Sequence, residues 1–193
     1  MSELVVRTSA TAEWLSLVNE AEAAAALHLD EEVQSYLVFL LMRFTEKPEL
    51  ATSILAVEYL QGMRSVGNIG RDQLRNVGDK CLLYSGLFPR RAERRRVKIS
   101  YFVDLGRSAY QQLSDRMEYS AAAMYHRLAG AFVSLMDILQ TMRTLGHPAD
   151  QLDPLRAFEL WRDTGSRAAL RALQQATQVS PLVIPSSNDD LQH

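Results

Sequence analysis

The sequence predicts an all-α fold: one helical bundle over residues 1–179 with a loose tail at 180–193. Three observations predict it. Glycine and proline are few, nine and six among 193 residues, while the helix-favouring Ala, Leu, Arg, Glu and Gln dominate. Apolar residues recur at steps of three and four, which puts them on one helical face. No apolar/polar alternation bounded by hairpin turns suggests a sheet. A chain of this length can bury the core of one full domain.

The elements follow in order. Ser9 or Thr11 can cap a first helix whose face carries Trp14, Leu15, Val18, Ala21, Ala25 and Leu29, with His28 near its end. Asp30 reads as the N-cap of a second helix, with Glu31 and Glu32 in the turn where the helix dipole favours negative charge. Val33, Tyr36, Leu37, Leu40, Leu41 and Phe44 form its face. Val38, Phe39 and Met42 make it apolar almost all round, which predicts a central position. Pro48 suits the first turn of a third helix through Gln61. Gly62, Gly67, Asn68 and Gly70 read as a loop over 62–70. A fourth helix runs from Arg71 to Ser85 with Leu74, Val77, Cys81 and Leu82 inward. Gly78 shares that face, where a missing side chain admits another backbone.

Gly86 and Pro89 end the fourth helix, and Ser100 can cap a fifth through Leu113. Ala121, Tyr125, Leu128, Phe132, Leu135, Leu139 and Met142 then form the clearest periodicity in the chain. That seam predicts one long central helix over 115–145, with Gly146 and Pro148 beyond it. Asp153-Pro154 opens a short helix carrying Leu155, Phe158, Leu160 and Trp161. Ser166 caps a last helix with Ala169, Leu170 and Leu173. The total is seven or eight helices around the seam helix. In the tail, Leu182, Val183 and Ile184 are able to dock on a neighbour.

Composition excludes several classes. The single Cys81 leaves no internal disulfide and no cysteine-rich zinc or iron-sulfur site, and it suits a reducing cytosol. Met1–Ala10 lacks the cationic start and apolar stretch of a signal peptide. The longest strongly apolar run, Tyr36–Met42, is far short of the ~20 residues of a membrane helix. The expectation is a cytoplasmic protein with no membrane partner. No phosphate loop, Gly-x-Ser-x-Gly, dinucleotide fingerprint or zinc spacing occurs, so no cofactor, metal site or catalytic residue is assigned.

Residues 78–89 read Gly-Asp-Lys-Cys-Leu-Leu-Tyr-Ser-Gly-Leu-Phe-Pro, and residues 100–110 read Ser-Tyr-Phe-Val-Asp-Leu-Gly-Arg-Ser-Ala-Tyr. This pair of segments resembles a pattern in uncharacterised helical proteins of bacteria. The resemblance covers about a fifth of the chain. It implies a bacterial cytosolic protein and no particular chemistry.

The feature with most functional content follows Pro89. Arg90, Arg91, Arg94, Arg95, Arg96 and Lys98 are offset only by Glu93, in a chain whose net charge is -2. Guanidinium groups bind phosphate and carboxylate in a bidentate way. The leading expectation is therefore a non-catalytic module binding an anionic ligand or acidic protein partner through Arg90, Arg91, Arg94, Arg95 and Arg96. Tyr101, Asp104 and Arg107 would form an adjoining polar pocket. The competing structural reading pairs the arginines with acids elsewhere in the chain. Nucleic acid is disfavoured, because the chain is net acidic and carries no reading motif.

A second reading is a helical enzyme or small-molecule carrier, with Asp104, Tyr101, Tyr125 and His126 lining a cavity between helices. A third is a homo-oligomer that buries surplus apolar residues of the second and seam helices. Glu58, Asp79, Asp104 and Asp137 stand in apolar helical contexts. The simplest expectation is that they pair with arginines, as Asp104 can with Arg107 three residues on. Di-metal bundle sites need a Glu with a His three residues later, a pair absent here. Cys81 reads as a buried inert thiol. Tyr84, Tyr101, Tyr110, Tyr119 and Tyr125 read as core packing with hydroxyls at the boundary.

Overall fold

The computed structural model describes residues 2–46, 55–90, 97–148 and 151–179. Among these residues there are nine helices and no strand. They are α1 (Ser2–Ala25), α2 (Glu31–Glu46), α3 (Leu55–Arg64), α4 (Gly67–Gly86), α5 (Ile99–Ser114), α6 (Tyr119–Gly130), α7 (Phe132–Gly146), α8 (Pro154–Thr164) and α9 (Arg167–Val179). No helix among the described residues is long and apolar enough to cross a membrane.

The bundle is built around α4, which lies along α5 and also meets α3 and α7. The seam residues Leu128, Phe132, Leu135 and Leu139 are fully buried, as are Leu74, Val77, Cys81 and Leu82 of α4. Three glycines set the closeness of this crossing. Gly78 faces the Tyr110 ring, Gly86 faces Leu139, and Gly106 faces both Phe132 and Cys81. Around that centre α1 packs on α2 and α7, α6 covers α5, and α8 and α9 pack together.

Several caps form where the side chains predict them. The Val33 N–H donates to Asp30 Oδ1 at 3.0 Å. Asp153 Oδ1 accepts from the N–H groups of Leu155 and Arg156, and Gly165, in the left-handed region, closes α8. Ser166 Oγ accepts from the Ala169 N–H at 3.0 Å. Asp153→Ala is expected to cost about 1 kcal/mol of stability, the usual worth of an N-cap. Urea unfolding of the variant against the parent measures it.

Elsewhere the structure corrects the expectations. The long helix over 115–145 is two helices. Residues 115–118 form a turn, and the chain breaks again at Ala131, where φ is -86° and ψ is 3°. Apolar periodicity runs through this break, because a bend between two helices leaves the buried face continuous. Residues 62–70 are not a loop, since α3 continues to Arg64 and α4 begins at Gly67. Gly62 and Gly70 are packing positions: a Cβ on Gly70 would collide with the Ser65 carbonyl, and one on Gly62 would press on Leu74. Only Gly67 has the positive φ that a tight connection needs.

The first helix begins at Ser2, ahead of Ser9 and Thr11, because no glycine or proline interrupts residues 2–10. It ends at Ala25, so Leu29 is buried from a connection rather than from the helix. Ala26 takes a φ of 46° there, and the Leu29 N–H donates to Glu22 Oε1 at 2.6 Å. The second helix is less central than its composition suggests: Phe39 is 63% exposed. Lys98, not Ser100, stands at the α5 N-cap, and the Ser100 hydroxyl instead approaches Asp163. The Pro48 start of the third helix and the tail at 180–193 lie outside the described residues.

Candidate functional site

A broad groove lies where three element ends meet. Trp14 and Leu17, three apart, face it from α1. Met142 and Leu145, also three apart, face it from α7. Leu87 to Arg90 close it from the end of α4. Its volume is about 800 Å³, and its lining is mostly apolar. Local chemistry explains the third wall. The Leu87 and Phe88 N–H groups both donate back to the Leu83 carbonyl, which winds up α4 before Pro89 redirects the chain. Phe88 is anchored by the Phe44 ring, with centroids 5.3 Å apart.

Leu17 and Leu145 are 46% and 47% exposed, so the groove keeps apolar surface in water. Its charged lining residues are Arg90, Arg143 and Glu20. Arg143 belongs to the last turn of α7, where a cation is favoured by the helix dipole. Arg90 is the first member of the arginine run. Arg91, Arg94, Arg95 and Arg96 lie outside the described residues.

A second groove, about 500 Å³, opens between α5 and α6. Asp104, Arg107 and Ser108 face it from α5, His126 faces it from α6, and Tyr59 reaches it from α3. Tyr101 is not among its lining residues; it is exposed and packs edge-on against Phe102. The two grooves share no lining residue, so Arg90 and the Asp104–Arg107 pair line different grooves.

Three of the four acids in apolar contexts, Asp79, Glu58 and Asp137, have structural partners, and none of those partners is Arg107. Asp79 is fully buried. Its Oδ1 accepts from the Tyr36 hydroxyl at 2.6 Å and the Tyr110 hydroxyl at 2.7 Å, and its Oδ2 accepts from Arg43 of α2. Burial works against the Arg43 charge, and Asp79 beside it more than offsets that, so the guanidinium is held more firmly protonated than usual. Glu58 pairs with Lys80 at 2.8 Å. Asp137 accepts from the Ser166 hydroxyl and from the Arg167 and Ala168 N–H groups, which caps α9 from another helix. Burial raises the Asp137 pKa despite those bonds. No group of three His, Cys, Asp or Glu side chains suited to a metal ion occurs among the described residues.

Burial, then the Asp79 charge, pushes the Tyr36 and Tyr110 hydroxyls well above the ordinary phenol range. Raised pKa values mean that the unfolded chain releases these protons first. The stability they contribute is complete below about pH 10 and is lost as the pH climbs above it. In an alkaline titration at 295 nm, the tyrosinate signals of Tyr36 and Tyr110 are expected to appear together with unfolding. Cys81 is buried, and burial raises its pKa, so it is not a nucleophile.

The residues that sequence reasoning missed are Leu17, Leu145, Arg143 and Arg43. Leu17 and Leu145 follow Trp14 and Met142 at the helical step of three, and that spacing was the available signal. Arg43 and Arg143 carried none, since each closes the last turn of a helix where a solvated cation is ordinary. Comparison with protein-family models, curated proteins and solved structures gives no significant match to this chain.

Proposed function

We propose that this chain is a non-catalytic binding module that takes an acidic, amphipathic protein segment into the groove between α1, α7 and the end of α4. One observation carries the reading: exposed apolar surface at Leu17 and Leu145 shares a concave site with Arg90 and Arg143. An amphipathic segment would place its apolar face on the leucines and its carboxylates toward the guanidiniums. In this reading Arg91, Arg94, Arg95 and Arg96, which continue the sequence from Arg90, add long-range attraction for the same acidic partner. Glu20 at the rim would disfavour carboxylates on the α1 side and so fix the direction of the segment.

The test uses a labelled synthetic helical peptide with one leucine face and one glutamate face, and a twin with lysine for glutamate. Fluorescence anisotropy is expected to show binding of the acidic peptide alone, weakening as salt rises. Arg90→Glu and Leu17→Asp are each expected to weaken it about tenfold or more. Equal binding of both peptides, or variants without effect, would reject the reading.

A second reading rests on the α5–α6 groove, which gathers Asp104, Arg107, Ser108 and His126. There the chain would hold a small polar ligand bearing both a donor and an anionic group. Mass spectrometry of the native protein would detect a retained ligand, and Asp104→Ala should release it.

A further inference from the structure

We infer that the α5–α6 groove binds a free α-amino acid as its zwitterion, with Asp104 taking the ammonium group and Arg107 the carboxylate; this rests on the second reading given above and names its ligand class.

The charges support this first. Aspartate followed three residues later by arginine occurs three times in the chain. Asp72 and Arg75 pair at 3.3 Å, and Asp153 and Arg156 pair at 3.0 Å. Asp104 and Arg107 have the same order and spacing, which on a helix leaves about 5–6 Å between Cβ atoms. Among the described residues, however, neither takes part in an ion pair or a hydrogen bond. Two opposite charges therefore stand open on one wall of one groove. Such a wall selects a ligand that carries both signs. A purely anionic ligand would meet Asp104, and a purely cationic one would meet Arg107.

Geometry supports it second. The ammonium and carboxylate of an α-amino acid sit on one carbon. Charge-assisted hydrogen bonds of about 2.7–2.9 Å on either side then span to two side chains one helical turn apart. Ser108 of α5 and His126 of α6 face the same space and supply further donors for the carboxylate. No hydrogen bond joins Ser108 to His126 among the described residues, so their assigned part is to hold the ligand. Gln112 continues the α5 wall one turn on from Ser108 and suits a polar, uncharged ligand side chain. Gly130 lines the α6 wall, and a Cβ there would meet nothing within 4 Å, so packing does not fill the groove at that point. The volume of about 500 Å³ lies within the span of small-molecule sites, about 300–1,000 Å³.

The experiment titrates L-glutamine into the isotope-labelled full chain and follows the Gln112 side-chain amide and the His126 ring by NMR. Two truncated probes accompany it. Glutaramate lacks the ammonium group, and γ-aminobutyramide lacks the carboxylate. Each is expected to bind about tenfold more weakly than glutamine, the worth of one lost charged hydrogen bond. Asp104→Asn is expected to make glutamine and glutaramate equal, and Arg107→Gln to make glutamine and γ-aminobutyramide equal. Both side chains are exposed, so neither substitution disturbs the core, and a melting curve checks this. Equal binding of all three probes to the parent chain, or no response to glutamine, overturns the inference.

Native mass spectrometry separates this result from the fate of the groove reading. A retained ligand without an amino group, together with no glutamine response, overturns the zwitterion and keeps the groove as a site for another polar ligand. No retained ligand and no response to any probe overturns both. Glutamine binding that follows the expected pattern in the two variants supports both.

Discussion

Asp79→Ala is expected to destabilise the fold by about 3–5 kcal/mol, the cost of breaking a buried ion pair from one side. The variant strands three donors at once. The Tyr36 and Tyr110 hydroxyls lose their shared acceptor inside the core, and Arg43 loses its counterion. Arg43 keeps about a third of its side chain in water, so its charge can rehydrate. The tyrosines have less recourse, since Tyr110 is fully buried. Asp79→Asn retains one acceptor oxygen and is expected to cost less, about 1–3 kcal/mol, while Tyr36→Phe removes a single bond for about 1 kcal/mol. Urea unfolding monitored by circular dichroism gives all three values. A loss below about 1 kcal/mol for Asp79→Ala would mean that water replaces the carboxylate, and the network would then not be what joins α2 to α4 and α5.

The second large effect is expected at Gly106. A Cβ there would lie 2.8 Å from Cys81 Cβ and would also run into the Phe132 ring. Cys81 Cβ is fixed by the α4 backbone, and Phe132 is fully buried, so neither can step aside cheaply. Alanine normally favours a helix over glycine by about 1 kcal/mol. Overpacking costs about 1–3 kcal/mol and more where backbone must move. The net expectation for Gly106→Ala is a loss of about 2 kcal/mol or more, despite the better helix propensity. Gly130→Ala is the control, because a Cβ there meets nothing within 4 Å. The measurement is the difference in melting temperature between the two variants, and a stabilised Gly106→Ala would show that α4, α5 and α7 can part without penalty.

The all-α class and most of the core were legible because burial repeats at helical spacing, and that signal survives local irregularity. The same persistence hid the break at Ala131, since Leu128, Phe132 and Leu135 keep their rhythm across it. Glycine was read as punctuation at 62–70, where Gly62 and Gly70 in fact admit a neighbouring helix. What decides is the packing around each glycine, as with Leu74 against Gly62 and the Ser65 carbonyl against Gly70. The acids were legible as a group needing partners. Their partners were not, because Arg43 reaches Asp79 from 36 residues away and Ser166 reaches Asp137 from 29. The α1–α7 groove was hidden for the same reason, as its walls come from residues 14–20, 87–90 and 142–146.

The glycines of the α4–α5–α7 crossing also bear on how this chain should be compared with others. Gly78, Asp79 and Gly86 fall within residues 78–89, and Gly106 and Tyr110 within residues 100–110. Each has a packing or hydrogen-bonding duty at the centre of the bundle. A chain that shares those letters at those spacings can build the same crossing of helices. Those letters therefore record how α4, α5 and α7 cross. In the proposed binding module, specificity would be written instead at Leu17, Arg90, Arg143 and Leu145, which line the α1–α7 groove.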